Sequence, residues 1–191
     1  MKLVIINKSD SRGGAAVVSF RLMKELRKKG VEASMLVAEK LTSDPDVHLA
    51  ASPKALSRAF RRERLHIFLR NGFNRKDLFK ADIADTGVPL AAHPLVKDAD
   101  VVMLGWINQG LLSLSEIEKI AAMKPVVWVM HDMWCATGIC HHAGRCEGFL
   151  NECGDCRLLH FCKGRNDLSH RAWRRKSELY NADITFVAVS N

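Results

Sequence analysis

The sequence predicts an α/β fold: a doubly wound, mainly parallel Rossmann-like sheet with a cysteine-rich loop insertion. Short apolar runs typical of buried strands alternate with longer segments whose apolar residues recur at helical spacing. A complete strand–helix–strand unit lies between Lys2 and Val37, and such connections are right-handed and produce parallel strands. A length of 191 residues suits one well-buried domain, which we expect to cover residues 1–191.

The first unit of this fold is the best defined. An apolar strand at Lys2–Ile6 is followed by a turn at Ser9–Gly14. A helix then begins at Ala15 and ends near Gly30, a residue that is common after the last turn of a helix. The second strand is predicted at Glu32–Val37.

The rest of the chain continues the alternation. The segment Phe73–Pro94 has mixed character and two prolines, which indicates a long loop or a small insertion. Ser113 with Glu116, or Ser115 with Glu118, would form a capping box at the start of a later helix. The further elements expected are helices at Pro53–Asn71, Leu114–Met123 and His170–Tyr180 and strands at Asp100–Leu104, Val126–Met130 and Ile184–Val189.

The net charge of +8 is concentrated in two stretches of the chain. We favour a solvated helix face, the most common origin of such blocks. The functional alternative is attraction to anionic lipid or to phosphate. Nucleic acid is disfavoured because the aromatic residues, 7% of the chain, do not alternate with the basic ones as stacking platforms would. The stretches are Arg58, Arg61, Arg62, Arg64, Arg70, Arg75, Lys76 and Lys80, and then Arg171, Arg174, Arg175 and Lys176.

The amino terminus and the hydropathy pattern indicate a cytoplasmic protein. Charge follows only a few apolar residues in MKLVIINKSD, unlike a signal peptide, and no apolar run approaches the roughly 20 residues that span a bilayer. Cytoplasmic thiols stay reduced, so the six cysteines favour metal binding or buried thiols over disulfides. The basic stretches are compatible with a peripheral contact at the inner face of an anionic membrane.

Gly13 and Gly14 stand between the first predicted strand and the first predicted helix. Backbone N–H groups and the helix dipole at such a turn can hold a phosphate, and glycine permits its close approach. The full G-x-G-x-x-G fingerprint of dinucleotide sites is absent. Because a glycine pair alone is more often an ordinary tight turn, a ligand role and a purely conformational role both stay open.

His131 and Asp132 directly follow the apolar strand Val126–Met130. Ligands of open α/β sheets bind at the carboxyl ends of the strands, so both side chains are candidates for function. The competing interpretation makes His131 a satisfied core or loop histidine. Trp134 could stack on a sugar or fill the core.

Four cysteines have the spacing C-x5-C-x6-C-x2-C. Tetrahedral zinc takes four soft ligands, and a C-x2-C turn positions two of them. A structural zinc ion is therefore the favoured interpretation, with no metal and an iron–sulfur cluster as alternatives. His141 or His142 could substitute as a ligand, and Cys135 and Cys162 are the expected bystanders. The predicted ligands are Cys140, Cys146, Cys153 and Cys156.

With these motifs in view, the chain resembles the N-terminal domain of a retaining family 4 glycosyltransferase of the two-Rossmann (GT-B) type. More narrowly, it is similar to a bacterial subgroup used in surface polysaccharide assembly. The resemblance covers essentially the whole chain, and its most specific part runs from the HDMW motif to CGDC. The matching blocks are Ser9–Ala16, Ala99–Gly110, Val126–Cys140, Cys146 with Cys153–Cys156, and the ending FVAVSN.

The resemblance implies roles for particular residues. Gly13 and Gly14 would lie near the diphosphate or the sugar of the donor. His131 would be the catalytic residue, facing the reacting sugar in a cleft between two domains. The other implied donor- or substrate-binding residues are Asp132, Trp106 and Asn108.

The implied reaction moves a hexosyl unit from a nucleotide sugar to a glycan or a lipid-linked acceptor, with retention of the anomeric configuration. In such enzymes a C-terminal domain binds most of the nucleotide sugar, and residues 1–191 contain no such domain. We therefore expect the chain alone to be inactive. The main alternative is a non-catalytic zinc-binding interaction module with a basic surface facing lipid or nucleic acid. A dinucleotide-dependent oxidoreductase is disfavoured by the incomplete glycine fingerprint.

Overall fold

In the described residues the fold is a six-stranded, entirely parallel sheet with helices on both faces, which confirms the predicted doubly wound α/β class. The computed structural model describes residues 1–161 and 163–189; the expected bystander Cys162, with Ser190 and Asn191 of the FVAVSN ending, lies outside them. Numbered along the chain, the strands are β1 Lys2–Ser9, β2 Glu32–Glu39, β3 Val47–Leu49, β4 Val101–Leu104, β5 Val126–Met130 and β6 Ile184–Ala188. Across the sheet they lie in the order β3-β2-β1-β4-β5-β6.

Within residues 1–161 and 163–189, five α-helices accompany the sheet. They are α1 Gly14–Lys28, α2 Pro53–Arg70, α3 Pro94–Asp98, α4 Leu114–Ala121 and α5 Leu168–Leu179. Short 3₁₀ turns occur at Leu90–Ala92, Met133–Cys135 and Gly148–Asn151. Among the described residues, no helix has both the length and the apolar character needed to cross a membrane.

The central strands are apolar along their whole length because both faces of the sheet are covered. On one face, Ile5 and Met35 pack against Met23 of α1. On the other face, Leu104 of β4 packs in the same cluster as Ile117 of α4. Parallel sheets are typically buried in this way, which explains why their strands read as continuous apolar runs.

The segment predicted as a long loop or small insertion is packed into the domain around the carboxylate of Glu63. This side chain, on α2, is fully buried and accepts the backbone N–H groups of Ile83 at 2.9 Å, Ala84 at 2.7 Å and Thr86 at 3.2 Å. Burial, followed by the charge of Asp82, raises the pKa of Glu63 to about 8. Apart from the 3₁₀ turn at Leu90–Ala92, residues 73–93 form no helix and no strand of the sheet, and a side chain from α2 anchors them.

A second anchor is the buried ion pair between Arg64 and Asp82. Arg64 Nη2 donates to Asp82 Oδ2 at 2.8 Å, and its Nη1 donates to the carbonyl oxygens of Leu78 and Ala81. The other N–H donor to Asp82 Oδ2 is the backbone of Gln109, at 2.7 Å. These hydrogen bonds offset much of the cost of burying the two charges, although the buried Arg64 Nε has no hydrogen-bond partner among the described residues.

Candidate functional site

A cleft of about 380 Å³ opens at the carboxyl edge of the sheet, between β1 and β4. The strand order reverses at this point, because β2 and β3 lie on one side of β1 and β4 to β6 on the other. Ligands of open α/β sheets bind at such switch points. The cleft is lined by Asn7, Lys8, Ser9, Arg12, Gly13, Gly14, Ala15, Ala16, Glu39, Trp106 and Gln109.

The amino terminus of α1 forms one wall of this cleft. Gly13 precedes the helix with φ +89°, a conformation that glycine adopts without strain. Within residues 1–161 and 163–189, no side chain caps this terminus, and its first turn carries no acidic residue. The first N–H groups of the helix are thus free to bind an anion, assisted by the helix dipole. A methyl group on Gly14 would have no heavy atom within 4 Å, so this part of the cleft is open.

The loop before α1 is fixed by Asp10, which is fully buried. Its carboxylate accepts the backbone N–H groups of Leu41 at 2.9 Å and Thr42 at 2.8 Å, and the Thr42 hydroxyl at 2.6 Å. Burial alone would raise the pKa of Asp10, but these hydrogen bonds hold the pKa below its usual value. The loop that presents Gly13 is therefore tied to the chain that follows β2.

Trp106 enters the cleft because β1 and the chain after β4 approach each other closely. Asn7 Oδ1 accepts the backbone N–H of Trp106 at 2.7 Å, and the N–H of Lys8 donates to the Trp106 carbonyl oxygen at 2.8 Å. A Cβ atom on Gly105 would lie 2.5 Å from Asn7 Oδ1. Glycine at this position is required for the contact.

Asp132 fixes the indole ring of Trp106 through a hydrogen bond to its Nε1 atom. Asp132 Oδ2 lies 2.8 Å from Trp106 Nε1 and 2.7 Å from His141 Nδ1, and its Oδ1 accepts the Trp134 N–H at 2.8 Å. The rings of Trp106 and His141 are 5.3 Å apart between centroids. Burial would raise the pKa of Asp132, but the bonds from His141 and Trp134 keep the pKa below its usual value. Asp132 thus connects the ends of β4 and β5 to the loop beyond.

We expect Asp132→Ala to lower the free energy of unfolding by about 2–3 kcal/mol at neutral pH, because buried donors on Trp106 and Trp134 lose their acceptor. The folded-state pKa of Asp132 lies below the unfolded value of 3.8. Its contribution is therefore fully present above that value and is lost as pH falls through the folded pKa. Urea unfolding at neutral pH and at the lowest pH where the wild type stays folded measures both effects. A stability difference that does not shrink in acid would contradict this assignment.

The structure brings together some of the predicted site residues but not all of them. Gly13, Gly14 and Trp106 line the cleft, and Asp132 reaches it through Trp106. His131 follows β5 at the same edge of the sheet, is half-buried, and is not among the lining residues. Burial lowers the pKa of His131, which favours a neutral imidazole.

Asn108, the remaining predicted contact, is buried and does not line the cleft. Its side-chain nitrogen makes no hydrogen bond to the described part of the chain. The adjacent Gln109 lines the cleft instead, with its backbone at φ +55°.

Sequence reasoning missed the charged residues of the cleft. Lys8 Nζ lies 3.4 Å from the carbonyl oxygen of Gln109, and burial lowers the pKa of this lysine. Arg12 forms an ion pair with Glu39 at 3.0 Å. Lys8 could have been predicted, because polar residues that follow an apolar strand lie at the carboxyl end where ligands bind. Lys8 comes two residues after the predicted strand Lys2–Ile6, and β1 extends past it to Ser9.

The four predicted zinc ligands line one small cavity of about 30 Å³ in the connection between β5 and α5. Their thiols are free, and Cys153 Sγ accepts the backbone N–H of Gly138 at 3.1 Å. Burial raises the pKa of the Cys153 thiol to about 11. In residues 1–161 and 163–189, no group of three or more histidine, cysteine or acidic side chains is arranged to hold a metal ion. The predicted zinc site is thus not confirmed.

The expected bystander Cys135 is buried away from that cavity. His141, considered as a substitute ligand, is bound to Asp132 through its Nδ1 atom. Neither residue is therefore placed beside the four predicted ligands as a further one.

The chain is similar to a protein of Escherichia coli that carries the name colanic acid biosynthesis glycosyl transferase WcaC. The two share 27% identity over 187 residues, which cover 94% of this chain. The chain spans about half of that relative, 45% of its length. No family model matches the chain, and no solved structure matches it. The similarity supports the relationship to glycosyltransferases that the sequence predicted and does not favour the alternative of a non-catalytic interaction module.

Proposed function

We propose that this chain is the N-terminal, acceptor-side domain of a retaining, family 4 glycosyltransferase of the GT-B type. It would act in the cytoplasm in polysaccharide biosynthesis, moving a hexosyl unit from a nucleotide sugar to a glycan or lipid-linked acceptor. The observation that carries the proposal is the cleft at the switch point of the sheet, which combines an uncapped helix terminus with a tryptophan. Similarity along nearly the whole chain to a protein named as a glycosyl transferase supports it.

The helix terminus suits the diphosphate of the donor. Free N–H groups at Gly14 and the following residues point positive charge into the cleft, and Lys8 adds a cation nearby. Arg12, although paired with Glu39, is largely exposed and able to contact an additional phosphate oxygen. Phosphate bound here would lie against backbone, which requires a residue without a side chain at the closest point.

The indole ring of Trp106 suits a sugar ring. Aromatic side chains present a large apolar face, and this ring is held in place through its Nε1 atom by Asp132. Gln109, which lines the cleft beside it, is placed to bind hydroxyl groups. His131 lies at the next strand end and would approach the reacting sugar when a second domain closes the cleft.

A second domain would complete the donor site. The matched part of the Escherichia coli relative is less than half of its length, and we propose that its remaining part corresponds to a C-terminal nucleotide-sugar-binding domain. Closure between two domains excludes water and assembles the site. The domain of residues 1–191 alone is therefore expected to turn over nucleotide sugars very poorly.

The test compares the chain alone with a two-domain protein in which the corresponding C-terminal half follows it. Transfer from a panel of radiolabelled nucleotide hexoses to glycan and lipid-linked acceptors is measured for both. We expect turnover only from the two-domain protein, with the anomeric configuration of the product retained. Robust turnover by the chain alone would overturn the proposed division of labour, and a folded two-domain protein that binds no nucleotide sugar would overturn the proposed reaction.

The two glycines of the cleft provide a matched pair of variants. Gly13→Ala is expected to lower the free energy of unfolding by about 1–3 kcal/mol, because Gly13, with φ 89° and ψ 164°, has a backbone conformation that is essentially restricted to glycine. Gly14→Ala should leave stability unchanged, since its Cβ meets no neighbour, yet it should weaken donor binding to the two-domain protein about tenfold by blocking phosphate. Thermal unfolding and titration with the nucleotide sugar separate these effects. Unchanged donor affinity in Gly14→Ala would place the phosphate elsewhere.

We also propose that the four cysteines hold one structural zinc ion. The support is the chemistry of the donor set: four thiols line one cavity, and the Gly138 N–H is positioned to stabilise a thiolate at Cys153. In the described residues these side chains are not arranged around an ion, so binding would have to draw the four sulfur atoms together. Burial raises the pKa of the Cys153 and Cys156 thiols, so zinc binding must displace their protons and its affinity should rise with pH.

Zinc is expected to co-purify at about one ion per chain under reducing conditions without chelator. Cys153→Ser should lower the melting temperature of the zinc-loaded protein and leave the chelator-treated protein unchanged, since metal binding is coupled to folding. Cys135→Ser is the matched control, because Cys135 does not line the cavity. Metal-free protein by elemental analysis would exclude the site.

A further inference from the structure

The outward face of α2 combines exposed basic and exposed apolar side chains. Its buried side carries Glu63, Arg64 and Ile67, which pack on the neighbouring chain. Helical spacing places the exposed residues together on the opposite side. This outward face consists of Lys54, Arg58, Arg61, Arg62, Leu65 and Leu69.

The arginines of the outward face are uncompensated. Arg58, Arg61 and Arg62 enter none of the ion pairs formed among residues 1–161 and 163–189. The acidic groups nearby are already engaged: Glu63 is buried, and Asp85 pairs with arginines outside this face. The face therefore presents net positive charge to solvent.

The apolar residues of the face are unusually exposed for their size. Leu65 is 50% and Leu69 46% exposed, and just past the helix Phe73 is 69% exposed. The Phe73 ring packs edge-on against Phe68 at 5.6 Å, which continues the apolar strip beyond the last turn of α2. Exposed apolar side chains with polar residues around them are typical of surfaces that bind a membrane or another protein.

We propose that the outward face of α2, with Phe73, binds peripherally to an anionic phospholipid bilayer. Leu65, Leu69 and Phe73 enter the interface between headgroups and acyl chains, and the arginines contact headgroup phosphates. Burial of its leucines and attraction of its arginines to anionic headgroups together hold such a helix face in the plane of the membrane interface. Nucleic acid fits less well because no aromatic ring lies among the arginines of the face to stack on bases.

The experiment measures co-flotation of the chain with vesicles of phosphatidylcholine containing about one third phosphatidylglycerol, and with phosphatidylcholine alone. Each arginine near an anionic surface contributes about fivefold in affinity, so Arg58→Gln, Arg61→Gln and Arg62→Gln together should weaken binding about a hundredfold. Leu65→Ser with Leu69→Ser should weaken it about tenfold without changing charge. All five positions are exposed, and thermal unfolding verifies that the variants fold.

Two control variants make the same chemical changes elsewhere. Arg21→Gln, Lys28→Gln and Lys29→Gln remove three exposed positive charges from α1 and the residue that follows it, and Leu41→Ser with Leu49→Ser removes two exposed leucines. Both controls should float like the wild type. Equal loss in the α1 and α2 charge variants would show attraction to net charge alone and overturn the proposal. No flotation of the wild type with the anionic vesicles, or equal flotation with phosphatidylcholine alone, would also overturn it.

Discussion

Replacing Glu63 with alanine is expected to lower the free energy of unfolding by about 3–5 kcal/mol, the largest stability effect that we expect in this protein. The truncation leaves three buried backbone N–H groups, those of Ile83, Ala84 and Thr86, without their acceptor. It also leaves a cavity beneath α2. Equilibrium unfolding in urea, with a constant slope between the two proteins, measures the loss.

Two further variants sharpen this test. Glu118→Ala removes an exposed glutamate from α4 and should change stability by less than about 0.5 kcal/mol. Glu63→Gln keeps the shape of the side chain but turns an amide group toward backbone donors, so its stability should fall between those of the wild type and Glu63→Ala. A Glu63→Ala protein as stable as Glu118→Ala would show that the segment around Ile83 is held by other contacts.

In the two-domain enzyme, His131→Ala is expected to lower kcat/KM by about 10²–10³-fold. The imidazole lies after β5 at the edge of the sheet where ligands bind, and burial lowers its pKa, which keeps it neutral near pH 7. A neutral imidazole can donate one hydrogen bond to a sugar hydroxyl or to the leaving phosphate as charge develops. Steady-state kinetics and melting temperature are measured on the same preparation.

The exposed neighbour His142 provides the control for this prediction. His142→Ala removes the same side chain from the following loop and should leave kinetics and stability unchanged. If His131 is only a packed residue, His131→Ala will lower the melting temperature while kcat/KM of the folded enzyme stays the same. That pattern would remove His131 from the catalytic machinery.

The regular elements were predictable where local signals agreed. The strand Val126–Met130 is confirmed at both ends, because its residues are apolar and it begins after a proline. The helix expected at His170–Tyr180 begins earlier, at Leu168, since Asp167 caps it by accepting the N–H groups of Ser169 and His170. That cap was visible in the sequence as an aspartate just before the helix.

Other elements depended on contacts between distant parts of the chain. The strand Val47–Leu49 has three residues and no periodicity to detect, and it forms because β2 offers a free edge. The expected capping box is half formed: Ser113 accepts the Glu116 N–H, but the Glu116 carboxylate binds the N–H of Ala91. Only tertiary structure decides such choices of partner.

The candidate site shows the same limit. Gly13 and Trp106 could be placed because they follow strands whose ends meet at one edge. Gln109 could not be placed in this way, because its backbone N–H donates to the carboxylate of Asp82, a residue far away in sequence. His141 was considered with the cysteines, and nothing in the sequence indicates that its nearest partner is Asp132.

The carboxylate of Asp132 links the cysteine-bearing loop to the cleft. His141 belongs to that loop, and Trp106 belongs to the cleft, yet both bind the same oxygen atom. Any event that orders the loop also restricts the indole ring, so it adds to the affinity for whatever stacks on that ring. Reciprocity then requires that a ligand in the cleft strengthen the ordering of the loop by the same free energy. If the cysteines hold the proposed zinc ion and the cleft holds the proposed donor, each ligand would change the affinity for the other through Asp132.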